Sequence, residues 1–167
     1  MLESVPFASL QVNPFTMMGK DLMLVTAGTA GRWNTMTAAW GTLGYLWEKP
    51  VVIAFVRPSR YTHAFLEAAD GFTCSFFPKS YHDKLIYLGT HSGRDGNKTE
   101  AVGMVADVVE PDRITFQGAS LVFCCEKASK LKMDPRLFLD DSIEPMYQGK
   151  DYHDVYVGFV TSVYRDQ

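Results

Sequence analysis

Residues 34–62 read NTMTAAWGTLGYLWEKPVVIAFVRPSRYT, and two polar clusters in this stretch bracket one apolar strand. The first cluster sets Asn34, Thr35, Met36, Thr37 and Ala38 beside Trp40, offering donors, acceptors and a flat apolar face suited to a planar heterocycle. The run Val51–Val56 is apolar throughout, as expected of a strand covered on both sides. It closes on Arg57-Pro58-Ser59-Arg60-Tyr61-Thr62, where Pro58 ends the strand and Ser59 has the character of an N-cap. Tyr61–Ala69 (YTHAFLEAA) then places Tyr61, Phe65 and Leu66 or Ala69 on one helical face. Two guanidiniums and three hydroxyls thus gather where a helix begins, which is how proteins hold a phosphate: orphan N–H groups, a favourable dipole and bidentate cations. A phosphorylated aromatic cofactor satisfies both clusters.

Outward from this stretch the chain is a series of strands. Leu22–Thr29 and Trp33–Thr37 read as two strands joined by a glycine turn, with Asn34, Met36 and Ala38 facing one way and Thr35, Thr37 and Ala39 the other. Residues 39–50 carry two glycines and a proline, which favours a loop or bend. Phe72–Phe77 reads as an alternating strand. Ser80 and Asp83 resemble a capping box for a helix running to about Leu88. Val105–Val109, Ile114–Phe116 and Leu121–Glu126 are strand-like, Asp134–Asp141 suits a short helix opened by Pro135, and Tyr152–Tyr164 is a long strand with Gly158 a natural bulge. Residues 1–20 read as irregular cover for one end. Strands do not alternate with long helices, so the pattern predicts one mainly β domain over residues 1–167, a closed or split antiparallel barrel with a few short helices.

Length and composition agree. A chain of 167 residues suits one domain with a sizeable core, and its 47% hydrophobic, 13% aromatic and 21% charged residues are those of a globular protein. A net charge of −3 argues against a broad nucleic-acid surface, so an anion site must be local. The N-terminus lacks the basic region of a signal peptide, and no apolar run approaches the roughly 20 residues that span a bilayer. A cytoplasmic protein without a membrane partner is expected. Three cysteines, Cys74, Cys124 and Cys125, form no disulfide framework, and the vicinal pair on a strand points to opposite faces.

The usual catalytic constellations are missing. The four histidines, His63, His82, His91 and His153, show no HxxxH or HxH spacing, and with no CxxC a metal site is not expected. Each histidine reads as a surface or capping residue. No GxSxG elbow, P-loop or GxGxxG is present. The loop GTHSGRDGNKTEAVG either converges backbone N–H groups and two cations on an anion or is a solvated loop before a short helix. A pocket for a cofactor without a protein acid, base or nucleophile points to redox chemistry carried by the cofactor.

Asn34-Thr35-Met36-Thr37-Ala38-Ala39-Trp40-Gly41, then Arg57-Pro58-Ser59-Arg60-Tyr61-Thr62, Ser75-Phe76-Phe77-Pro78 and His91-Ser92-Gly93-Arg94-Asp95, in this order and spacing, resemble the flavin reductase-like family of the flavoredoxin type. The resemblance extends from about Val12 to Tyr164. It implies an FMN-binding split barrel of Greek-key type, a homodimer with flavin near the subunit interface. By the same resemblance, Asn34, Thr35, Met36, Thr37, Ala38 and Trp40 line the isoalloxazine and ribityl chain. Arg57, Ser59, Arg60, Tyr61 and Thr62 hold the ribityl and phosphate groups, with Ser92, Gly93, Arg94 and Lys98 closing the phosphate end. Trp40 read alone fits a core or dimer-interface aromatic equally, and Thr35 and Thr37 fit ordinary strand threonines.

The resemblance implies an NAD(P)H-dependent flavin reductase that takes hydride on flavin N5. Alternatives are a flavoredoxin-like electron carrier with tightly bound FMN and a redox-protein partner, or a flavin-binding dimer without turnover. Lacking a separate nicotinamide domain, the chain must receive NADH or NADPH in the open flavin cleft. Trp33, Trp40, Tyr45 and Trp47 crowd a short region that a small barrel can hardly bury alone, which also favours a homodimer.

Overall fold

The computed structural model describes residues 1–167. Its strands are β1 (Leu2–Val5), β2 (Met23–Thr29), β3 (Arg32–Ala38), β4 (Gly41–Leu46), β5 (Lys49–Val56), β6 (Gly71–Phe76), β7 (Ala106–Glu110), β8 (Arg113–Phe116), β9 (Leu121–Lys132) and β10 (Asp154–Asp166). The helices are α1 (Pro14–Lys20), α2 (Tyr61–Ala68), α3 (His82–Thr90) and α4 (Lys98–Ala101). All pairings are antiparallel, in the order β3-β2-β6-β9-β10-β5-β4, with β1 on the far half of β10 and β7-β8 a separate hairpin. The sheet does not close: of the closed or split barrel that the strand pattern predicts, the split one forms, as the family resemblance implies.

Strand alternation sorts the core into two layers. Val25, Cys74, Phe123 and Cys125 point into the barrel with Phe72, Val52 and Tyr156. Their neighbours Leu24, Val122 and Cys124 point the other way, under Leu85 and Leu88 of α3 and Phe116 of β8. β6 is therefore buried along its whole length and shows no solvent face, contrary to the alternation read from FTCSFF. Cys124 and Cys125 do face opposite layers, and all three thiols are free and buried. Burial pushes each of them well up from an ordinary thiol, so they are inert hydrophobes. The bulge at Gly158 is present, since the β10–β9 register shifts between Val157 and Gly158. A side chain there would meet the Phe72 ring at 2.6 Å and Cys125 Cβ at 2.7 Å.

Several local expectations are corrected. Residues 39–50 form no loop but the β4–β5 hairpin, turned on Trp47 and Glu48 with φ of 50° and 60°. Two such residues make the tight turn whose twist matches a hairpin, usually marked by Asn-Gly, which is why the signal was missing. Pro50 is tolerated because its β10 pairing stops at Val51. Residues 1–20 hold β1 and α1, the latter capped by Asn13, whose side chain accepts from Phe15 N–H at 3.0 Å. Neither Ser59 nor Ser80 caps a helix: α2 starts after Arg60 and α3 after Tyr81, without side-chain caps. Within Asp134–Asp141 only the turn Pro135–Leu137 is helical. Trp33 packs edge-on to Phe116, at 5.4 Å between centroids, and so belongs to this chain's own core. Trp40, Tyr45 and Trp47 remain exposed.

An ionic network ties α2 to the barrel. His63 Nε2 lies 2.7 Å from Asp154 Oδ2, and Lys130 Nζ lies 3.0 Å from the same oxygen and 2.9 Å from Glu67 Oε1. Burial works against the Asp154 charge, but His63 and Lys130 outweigh it and hold the carboxyl below its usual range. His63, Glu67 and Asp154 are ligand types for a metal, an i, i+4 pair plus one strand residue that histidine spacing alone overlooks. Here the Lys130 ammonium already bridges the two carboxylates. No helix is long and apolar enough to cross a membrane.

Candidate flavin-binding groove

The end of β5 and the start of α2 turn sharply at Pro58, and an acidic residue from a distant loop holds the turn. Ser59 N–H donates to Asp151 Oδ1 at 3.0 Å, and the Ser59 hydroxyl donates to Oδ2 at 2.5 Å. Ser59 is spent on this clamp instead of capping α2, so the N–H groups of Tyr61 and Thr62 keep no acceptor within the chain. They open onto a cavity of about 200 Å³. Its rim is Ser59, Arg60, Tyr61 and Thr62 on one side, with Thr90, His91, Ser92, Gly93, Arg94 and Lys98 on the other. Asn34 and Met36 of β3 form its floor.

The polar groups of this cavity are aimed but not exhausted. Asn34 Nδ2 donates to Thr62 Oγ1 at 2.7 Å, and Arg94 N–H donates to Ser92 Oγ at 3.2 Å, which leaves both hydroxyl protons to donate elsewhere. Arg60 spends one N–H on Gly89 O at 2.8 Å and Arg94 spends one on Ser59 O at 3.2 Å. Lys98 Nζ donates to Leu88 O at 2.7 Å and His91 O at 3.1 Å, so one of its three protons stays free. No carboxylate lines the cavity, and none of these three cations forms a salt bridge. Unbalanced cations, free hydroxyls and a helix start fit a dianionic phosphate.

Met36 and Arg60 are shared with a second cavity of about 220 Å³, walled by Thr37, Ala38, Ala39, Trp40, Phe55, Arg57 and His153. Ala39, Trp40 and Phe55 in turn line a wider apolar cavity of about 680 Å³ bounded by α1 and by Met146 and Tyr147. The three form one groove, cationic at one end and apolar at the other. A family model for the flavin reductase like domain matches residues 15–167. The chain belongs to the flavin reductase like domain family.

Solved structures of similar fold accompany this match. An FMN-binding domain of a flavin reductase-like enzyme from Shewanella baltica is 17% identical, with a TM-score of 0.72 over 99% of this chain and 78% of that one. An FMN-binding protein from Thermus thermophilus with bound p-hydroxybenzaldehyde is 25% identical, with a TM-score of 0.69 over 98% and 82%. The flavoredoxin of Desulfovibrio vulgaris is 18% identical, with a TM-score of 0.68 over 100% and 78%. A search of curated proteins returned no match.

Within this flavin reductase like domain, the groove gathers Asn34, Met36, Thr37, Ala38, Trp40, Arg57, Ser59, Arg60, Tyr61, Thr62, Ser92, Gly93, Arg94 and Lys98. Thr35 is left out. It points to the other face of β3, fully buried, with its hydroxyl 2.8 Å from that of Thr26, as an ordinary strand threonine does. Arg57 lines the second cavity and not the cationic one: its guanidinium donates to Met146 O at 3.1 Å and sits 5.0 Å from the Tyr147 ring centre. The Thr37 hydroxyl donates to Leu85 O at 2.5 Å, which anchors α3 and leaves no proton for a flavin.

Residues from the return segment were not legible. His153 is neither a surface nor a capping residue; it is 8% exposed, its Nδ1 is 2.7 Å from the Tyr147 hydroxyl, and its ring is 5.2 Å from that of Trp40. Burial and then the Arg57 charge bring its pKa down to about 4, with Asp151 opposing, so the ring is neutral at pH 7. Burial also brings Lys98 down to about 8, with Arg60 adding to the effect. Arg60 is lowered too, by burial first, with Asp151 opposing and Arg57 adding. Each of these lowered cations is better off with an anion beside it.

Proposed function

We propose that this chain binds FMN with its phosphate between α2 and residues 90–98 and its ring against β3, Trp40 and Phe55, and that it is an NAD(P)H-dependent flavin reductase. The reading rests on the continuity of the cationic cavity with the apolar groove through Met36 and Arg60. Bound FMN supplies N5 as the hydride acceptor. The protein holds the phosphate with Arg60, Arg94 and Lys98, sets the ring plane with Met36 and Trp40, and keeps water away with Phe55. Orientation of two stacked rings accounts for several kcal/mol of barrier reduction without a protein acid or base. A nicotinamide from NADH or NADPH enters through the apolar cavity beside Trp40, which is 44% exposed and leaves that side open.

A flavoredoxin-like carrier is the second reading, favoured by the flavoredoxin from Desulfovibrio vulgaris among the structural neighbours. Exposed Phe15, Trp40 and Met146 around the apolar cavity suit either a second copy of this chain or a redox partner, and we favour a homodimer. Three reduced thiols fit a cytoplasmic setting. The absorption spectrum of the purified protein, taken before and after anaerobic NADH or NADPH, tests the proposal. Bleaching of the flavin band supports the reductase, bound flavin that neither donor bleaches supports the carrier, and equal affinity for FMN and riboflavin removes the phosphate assignment.

A further inference from the structure

We infer that Asp151 sets how firmly this chain holds a flavin phosphate, by keeping both hydrogen-bond donors of Ser59 from it and placing a like charge beside it. This rests on the flavin reading above and adds to it a residue that favours a flavin which exchanges over one that stays bound. Ser59 lines the cationic cavity with Arg60 and Arg94. Its N–H and its hydroxyl both donate to the Asp151 carboxylate, at 3.0 and 2.5 Å. A serine hydroxyl has one proton, so only oxygen lone pairs are left to face a ligand, and they repel an anion. Of the residues around the cavity, Ser59 alone is bonded to an acidic side chain.

The loop that carries Asp151 is bent to bring it there. Gln148, Gly149 and Asp151 have φ of 53°, 76° and 56°, a region that only glycine enters without cost. The Asp151 carboxylate makes no salt bridge, and both of its oxygens are bonded to Ser59. Its placement therefore serves Ser59 and not a cation. Its charge still reaches the groove: it works to raise Arg60 and His153 against the lowering that burial causes in each. A carboxylate that favours the charged form of Arg60 disfavours an anion beside Arg60 for the same reason. The cations Arg60, Arg94 and Lys98 attract the phosphate, and Asp151 moderates that attraction from the rim.

The test compares wild type, Asp151→Asn and the double variant Asp151→Asn with Ser59→Ala in the full-length protein. Each is titrated with FMN and with riboflavin by flavin fluorescence, and FMN release is followed by stopped-flow. Asparagine keeps an acceptor for the Ser59 N–H, offers an N–H to the Ser59 oxygen and tolerates the same φ, so the turn stays held while the charge goes and the hydroxyl proton is freed. Asp151→Asn is expected to bind FMN about tenfold more tightly and release it more slowly, on the scale of one hydrogen bond to a charged group. Riboflavin affinity should stay within about twofold, which also reports an intact groove. The double variant should lose most of the gain, since the freed hydroxyl is then missing. The inference is overturned if Asp151→Asn binds FMN no more tightly than wild type, if riboflavin gains as much as FMN, or if the gain survives Ser59→Ala in full. Failure of wild type to bind FMN, or equal affinity of wild type for FMN and riboflavin, instead removes the underlying flavin reading or its phosphate assignment, and this inference with it.

Discussion

The side-chain amide of Asn34 on β3 donates to the Thr62 hydroxyl on α2 at 2.7 Å, while its carbonyl oxygen faces Gly93 so closely that a Cβ there would stand 2.2 Å away. One carboxamide thus sets the distance between the sheet, the helix start and the Ser92–Arg94 loop. Gly93 is needed because of Asn34 and not because of its own backbone angles.

Gly93→Ala is expected to push the Ser92–Arg94 loop off Asn34 and to loosen the phosphate cavity. FMN affinity should fall by about tenfold, the loss of one charge-assisted hydrogen bond of roughly 1.5–3 kcal/mol being its upper range. Riboflavin affinity should change little. Fluorescence titration with both flavins checks this, and an equal loss for the two would place the damage at the ring instead.

Lys98 gives the groove a pH dependence. Its pKa is about 8 in the free protein, and a bound phosphate favours its charged form. FMN affinity should be full below pH 7 and decline as pH rises through about 8. Stability of the flavin-free protein runs the other way. The folded state holds fewer protons than the unfolded one between about 8 and the ordinary lysine value, so Lys98 contributes rising stability across that window. Calorimetric titration of FMN from pH 6.5 to 9.5 should show the decline in wild type and not in Lys98→Met, with riboflavin as the control.

The β4–β5 turn carries a cost that one substitution relieves. Glu48 sits at φ 60° next to Trp47 at φ 50°, a region that costs roughly 1–2 kcal/mol for residues with a Cβ. Trp47 recovers some of this by packing edge-on to Phe159 at 6.1 Å. Glu48 offers the fold its carbonyl, which accepts from the Tyr45 hydroxyl at 2.8 Å, and glycine keeps that carbonyl. Glu48→Gly should raise the melting temperature by about 2–4 °C, at roughly 1 kcal/mol for a chain of this size. No change in a thermal melt would mean the turn is not strained.

Those same residues explain what the sequence could and could not tell. Val51–Val56 and all of Leu121–Glu126 but its last residue were legible as strand because strands covered on both faces are apolar throughout. The hairpin between Gly41 and Lys49 was hidden because its turn uses Trp47-Glu48, and its Pro50 is harmless only through where β10 stops pairing. In the groove, Asn34 to Trp40 and Ser59 to Lys98 carry recognisable motifs. Asp151, His153 and Tyr147 carry none, since their roles follow from a return segment whose path depends on tertiary contacts: Asp151 clamping Ser59, and Met146 O accepting from Arg57. Arg57 reads as a phosphate ligand in the sequence, and its side chain is steered into the second cavity, away from the cationic one, by a carbonyl about ninety residues away.

The last prediction concerns chemistry. If hydride passes directly between stacked rings, no side chain need move a proton in that step, and the rate should follow ring placement alone. Cys74 is buried with its pKa raised by desolvation, so its thiol has no access to the thiolate form near neutrality. His63 pairs with Asp154 on the far side of α2, and His82 starts α3. Cys74→Ala, His63→Ala and His82→Ala should therefore retain flavin reduction within about threefold wherever the protein folds and binds FMN. His153 belongs to the groove and is the stricter case. With a pKa of about 4 it stays neutral from pH 6 to 8, so it adds no step to the rate in that range. His153→Phe keeps the wall beside Trp40 and removes both ring nitrogens, and it too should reduce FMN within several-fold of wild type. Trp40→Ala removes the wall itself and should slow reduction or empty the groove by at least tenfold. Anaerobic stopped-flow at saturating FMN separates these effects. A thousandfold loss in His153→Phe with flavin still bound would make that imidazole a proton donor or acceptor in the reaction and end the placement mechanism.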